Sequence, residues 1–138
     1  MELERGSDEH IRDHARDIIK GQQEQIDLFT RWLKRWYGLT PEQAAAQAPS
    51  EAQEVMAAMD EETKTRMQEL AAVKDGKAFD IEFVRMMIPH HTAGIIEFLE
   101  PQARAVHDQL RQEAASGIAT QEKEIVDFRQ WLDGQSRK

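Results

Sequence analysis

Apolar residues recur at three- and four-residue steps along most of the chain, and nowhere do they alternate with polar ones over the length of a strand. β-Branched residues are sparse as well, so the pattern predicts an all-α fold. The first long helix is expected to be capped by Ser7, with Asp8 and Glu9 beside its positive end, and to stop at Gly38. Residues 40–73 read as a connection of short helices, with start signals at Thr40-Pro41, Pro49-Ser50 and Asp60. The stretch KDGK, Lys74 to Lys77, is a break. A further long helix is expected from about Ala78 to Leu99, disturbed by Glu100-Pro101, and a last one ends near Asp133-Gly134.

The first and last long helices look like copies of one element. Residues 14–33 align with 113–132, and seven of the twenty positions are identical. The pairs are Ala15/Ala114, Ile19/Ile118, Gln22/Gln121, Ile26/Ile125, Phe29/Phe128, Trp32/Trp131 and Leu33/Leu132. Six of them step 4, 3, 4, 3, 4, the seam of a packed helix bundle. The helix at 78–99 has no copy upstream of the first helix. The chain therefore reads as a single helical domain, 1–138, made of one and a half hairpins: 7–37 closes a partial first repeat, 40–73 connects, and 78–133 is the second repeat. Either an upstream helix is missing or a second subunit covers the open face, and a homodimer is expected.

Composition narrows the function classes. The formal net charge is −8 in 138 residues, with 32% charged and 40% hydrophobic, which disfavours nucleic acid or an anionic membrane as partner. The absence of cysteine excludes disulfides, zinc fingers and thiolate-held clusters. No signal-peptide pattern and no apolar run long enough to span a bilayer is found, so no membrane insertion is expected.

The candidate chemistry lies in RMMIPHHTAG, Arg85 to Gly94. Met86 and His90 are four apart and share a helix face, as do Met87 and His91. Phe79, Phe83, Met86 and His90 form one stripe; Val84, Ile88, His91, Ile95 and Phe98 form the next. Both histidines are expected near the bundle interior, on its two flanks. Imidazole with thioether suits copper, especially the reduced ion, whereas imidazole with carboxylate suits zinc, iron or manganese. The last helix offers Gln121 and Glu124, and Gln121 falls on the repeat seam, where a buried amide needs a polar partner. Pro89 removes a backbone donor and predicts a kink.

Each feature has a plainer reading. Met86 and Met87 are better read as core filler. A hydrogen-bonded histidine core linked to Gln121 competes with a metal site, and for His90 and His91 the metal reading is preferred. Glu97 is about 10 Å along the axis from His90 and reads as a surface carboxylate. His10 and His14 have ligand spacing but sit near a helix start, so they read as a surface pair. His107 reads as a cap or surface residue, and Trp32 as part of the core seam beside outward basic residues. No nucleophile–base arrangement or phosphate loop is visible. The Glu-x-x-His pattern of di-iron bundles is absent too, because Met87 and Ile88 stand three before the histidines.

FDIEFVRMMIPHHTAG resembles the hallmark of the ferritin-like domain of unknown function three-hundred-and-five family, through Phe79, Asp80, Phe83, Met87, Ile88, His90 and His91. A second hallmark is matched by His107, Leu110, Ala114, Gln121, Glu124, Ile125, Trp131 and Leu132. The match runs over residues 78–133 without gaps, and residues 14–36 resemble the closing half of a preceding copy. The resemblance implies a four-helix bundle in exported or membrane-attached bacterial proteins, some of which bind copper through methionine and histidine. Glu97 and Phe128 stand where the family usually has methionine, and Gln25 replaces the glutamate in the first copy. Two soft ligands are lost, which favours a harder ion or none.

The sequence thus points to a non-enzymatic metal-binding, ferritin-like bundle, with copper first by resemblance and zinc second by composition. His90 and His91 are the expected primary ligands, Met87 and Glu124 additional ones, and Gln121 an orienting group. The alternative is a structural or assembly domain whose histidines knit the core.

Overall fold

The computed structural model describes residues 1–137, and local capping chemistry accounts for several of its helix ends. Helix α1 spans Glu2–Arg5, α2 Glu9–Tyr37, α3 Pro41–Gln47, α4 Ser50–Ala71, α5 Lys77–Arg104 and α6 Asp108–Ser136. Among the described residues there is no strand, so the protein is all-α. Asp8 rather than Ser7 caps α2, its carboxylate accepting from the Ile11 amide at 3.2 Å. Gly38 closes α2 at φ 69°, a left-handed turn open to glycine, and its amide donates to the Lys34 carbonyl at 2.9 Å. Thr40 and Gln43 form a reciprocal capping box at the start of α3, with Pro41 in the first turn.

Three expectations of the sequence pattern are corrected. Asp60 starts no helix, and 50–71 is one uninterrupted element. Alanine, methionine and glutamate flank Asp60 with neither proline nor glycine nearby, so helix propensity carries through. Pro101 does not end α5, which continues to Arg104 with both Pro89 and Pro101 inside it. Gly134 does not end α6, which runs to Ser136. Helix α1 was not anticipated from the sequence.

The chain divides into two compact units, Met1–Phe79 and the remainder from Asp80. In the first, Ile11, Ala15, Leu70 and Phe79 are buried. Its corner is held by Arg5. The guanidinium bonds the Asp75 carboxylate at 2.6 Å and donates to the Ala71 and Val73 carbonyls at 3.1 and 2.5 Å. It also lies 4.6 Å from the centre of the Phe79 ring. The Ala71 and Val73 carbonyls sit at the negative end of α4, where a cation is favoured. The Gly76 amide closes the loop by donating to the Arg5 carbonyl at 2.8 Å, and Gly76 takes φ 87°. Arg12 ties α2 back to α1 through the Leu3 carbonyl at 3.1 Å.

In the second unit the inward line of α5 is Asp80, Val84, Met87 and His91, stepping 4, 3, 4. It faces Ala114, Gly117 and Phe128 of α6, all buried. Contacts run in opposite order along the two helices: His91 meets Glu124 and Phe128, Gly94 meets Gln121, and Phe98 meets Gly117. That order defines an antiparallel hairpin. Among the described residues no helix is long and apolar enough to cross a membrane.

Arg5 joins α1, the end of α4 and the start of α5. Arg5→Ala is expected to lower stability by about 1 kcal/mol, chiefly through loss of the part-buried bond to the Val73 carbonyl, since the Asp75 carboxylate is largely exposed and its ion pair is screened. Arg5→Lys should recover little of this, because an ammonium cannot reach both carbonyls and Asp75 in one plane. Urea unfolding followed by circular dichroism measures both.

Candidate functional site

The site is built where the α5 line crosses α6. His91 is 3% exposed, and its Nε2 lies 2.5 Å from Glu124 Oε2. A carboxylate only accepts, so the proton belongs to Nε2. In the neutral ring this leaves Nδ1 with a bare lone pair. Nδ1 is buried and meets no hydrogen-bond partner. The Glu124 side chain is 17% exposed, which leaves it an edge to water while its other edge holds the ring.

Apolar neighbours fix the imidazole further. Phe128, fully buried, meets the His91 ring at 5.6 Å between centroids and 83°, an edge-to-face contact. Met87 is one helical turn earlier on the same line and 7% exposed. Side chains on a helix lean toward its N-terminus, so the His91 ring leans over the turn that carries Met87.

Two glycines lie under side chains of the facing helix. A Cβ on Gly94 would fall 2.3 Å from Gln121 Oε1, so the Gln121 carboxamide occupies the space over the α5 backbone. A Cβ on Gly117 would fall 2.7 Å from the Phe98 ring. Gln121 thus packs on α5 one turn away from the His91–Glu124 bond, and no bond between Gln121 and either histidine is present among the described residues.

The expectation for His90 is corrected: it is exposed and points away from the seam. Adjacent residues on a helix diverge by about 100°, and the α5 line selects the Val84–Met87–His91 side. The two imidazoles lie 6.4 Å apart between centroids. Glu97 is exposed, as expected. His10 and His14 stand at right angles with centroids 4.8 Å apart, His10 exposed and His14 half-buried. His107 occupies the position before α6 but makes no side-chain cap bond to it. Trp32 is half-buried and stacks on Trp36 at 5.1 Å. Among the described residues, no three His, Cys, Asp or Glu side chains gather into a metal-binding group. The role of Phe128 as a wall of the site was missed in the sequence, although its place on the repeat seam signalled burial.

Residues 1–132 match the family model described as "Domain of unknown function (DUF305)". No curated protein and no solved structure matches the chain.

Two outcomes test this packing. Glu124→Ala is expected to cost about 2–3 kcal/mol, because it strips the buried ring of its one partner, and a double-mutant cycle with His91→Ala should show coupling above about 1 kcal/mol. Gly94→Ala should be near neutral, since the end of Gln121 can swing aside and alanine favours helix by about 1 kcal/mol. Gly117→Ala should instead cost about 1–2 kcal/mol, because the Phe98 ring cannot yield without repacking. Chemical denaturation of each variant supplies the numbers.

Proposed function

The chain belongs to the DUF305 family, and from that premise we propose that it is a metal-binding helical protein that takes a copper(I) ion at His91, with zinc as second choice. The observation that carries the reading is the buried Nδ1 of His91, left without a partner while Nε2 is held by Glu124. Metal-ligating histidines commonly donate their other ring N–H to a carboxylate, which fixes the tautomer and makes the free nitrogen more basic. In this arrangement Glu124 is the orienting group rather than an additional ligand.

The donor chemistry fits a soft ion. Met87 is the thioether nearest to His91 along the buried line, and thioether with imidazole selects copper(I) over harder cations. A harder ion would draw on carboxylates, and no three-residue group of that kind is present among the described residues. His90, exposed on the other side of the helix, is left out of this ligand set. Gln121 would hold the α5 backbone at Gly94 and keep the helix in place beneath the ion. The reading is of binding or handling of the ion, not of catalysis. It also takes the working unit to be a homodimer, because α2 carries an apolar face that the chain leaves half open.

A second reading is favoured by the tight packing of Phe128 against His91, in the place where methionine is usual in the family. In that reading the His91–Glu124 bond is a purely structural polar staple.

A copper(I) titration against a chromophoric chelator separates the two. One equivalent taken up by the wild type, lost in His91→Ala and weakened about 10–100-fold in Glu124→Gln, supports the metal reading. His90→Ala should change affinity by less than about threefold, and Met87→Leu should weaken copper(I) but not zinc. Equal, weak uptake by the wild type and His91→Ala would leave the staple reading.

A further inference from the structure

The seam of α2 and the seam of α6 share their residues but not their surroundings. In α6, Ala114 and Phe128 are fully buried, and Ile118, Gln121, Ile125 and Leu132 are half-buried. In α2, Ala15 is 5% exposed, yet Ile19 and Ile26 are each 58% exposed and Gln22 lies open. Phe29 and Leu33 are half-buried. A stripe that is a helix-packing surface in one place is thus open to solvent over about two turns in the other.

We propose that a second copy of this chain covers α2, the two helices pairing antiparallel about a two-fold axis beside residue 24. The inference rests on the homodimer reading and is independent of the copper one. The seam positions 15, 19, 22, 26, 29 and 33 step 4, 3, 4, 3, 4, a spacing that reads the same in both directions. An antiparallel copy therefore sets Ala15 opposite the partner's Leu33, Ile19 opposite the partner's Phe29 and Gln22 opposite the partner's Ile26. Every seam residue finds a seam residue, and the smallest meets a large one.

Spacing alone allows a parallel pair as well, and charge decides between them. Between Glu9 and Asp27, α2 carries five acidic residues (Glu9, Asp13, Asp17, Glu24, Asp27) and three basic ones (Arg12, Arg16, Lys20). Between Leu28 and Tyr37 it carries Arg31, Lys34 and Arg35 and no acid. Among the described residues these last three make no ion pair, whereas Arg12, Arg16 and Lys20 are paired within the helix. A parallel pair would bring six basic side chains together at one end. The antiparallel pair lays each basic end against the acidic half of its mate and sets the two helix dipoles in opposition. An isologous contact of this kind closes on itself and leaves no open edge for further growth.

Sedimentation velocity on the full chain should give twice the monomer mass. Ile26→Glu should halve that mass while leaving the helical circular dichroism and the copper(I) titration unchanged, because Ile26 is exposed in the single chain. For orientation, Ile19→Cys and Phe29→Cys are prepared separately in this cysteine-free chain and oxidised alone and mixed. A disulfide-linked pair that forms in the mixture and in neither variant alone supports the antiparallel contact. A monomeric wild type overturns both the contact and the homodimer reading. A dimer that survives Ile26→Glu, or one in which Ile19→Cys links to itself, overturns this contact alone. Copper uptake is read separately and decides only the metal proposal.

Discussion

The short bond between His91 and Glu124 is the constraint on which the α5–α6 hairpin turns. Hydrocarbon packing is non-directional and tolerates small slides of one helix past another. A buried imidazole is not so tolerant, because losing its one acceptor strands a polar group away from water. Once His91 faces Glu124, the remaining contacts fall into line. Phe128 is one turn beyond Glu124 and meets the ring edge; Gln121 is one turn before it and lies over Gly94; Gly117 then accommodates Phe98. The polar pair thus sets register, and Gly117 beneath the Phe98 ring limits the distance of approach.

The same geometry gives the site its chemical character. One ring nitrogen is committed to the carboxylate and the other is buried and bare, with the Phe128 ring against the imidazole and Met87 one turn earlier on the same buried line. Such a nitrogen is either the cost of the staple or a poised donor for a soft ion. Phe128 and Met87 pull in opposite directions here. The phenylalanine completes an apolar wall, while the thioether keeps a soft donor on the same line as the imidazole.

Repetition of a seam does not by itself bury it. Ile19 and Ile118 are equivalent in the repeat, and so are Ile26 and Ile125, yet the α2 members are exposed and the α6 members half-buried. The difference is what stands opposite. α6 meets the α5 line, with its two points of close approach. Within its own unit α2 has its ends engaged, by Asp8 and Arg12 at one and the Gly38 turn at the other, and Ile19 and Ile26 between them are exposed.

The all-α class, the long helices, the break at 74–77 and the equivalence of α2 and α6 were legible in the chain, because helical periodicity and caps are local properties. The pairing of the 91 region with Glu124 and the seam place of Gln121 were also within reach of pattern reasoning. Which histidine turns inward was not. His90 and His91 both sit on apolar stripes, so periodicity gives them equal claim, and only the partner helix breaks the tie. The Arg5 clamp was equally invisible, since it joins residues some seventy positions apart and no local signal marks a guanidinium for two particular carbonyls. The continuity of α4 past Asp60 and of α5 past Pro101 lies between these cases: the breaking signals were real, but the helix formers on either side outweighed them. Local chemistry determined the elements; the placement of one imidazole, one guanidinium and two glycines was decided only when distant side chains met, because desolvation and steric contact depend on neighbours that sequence separation does not reveal.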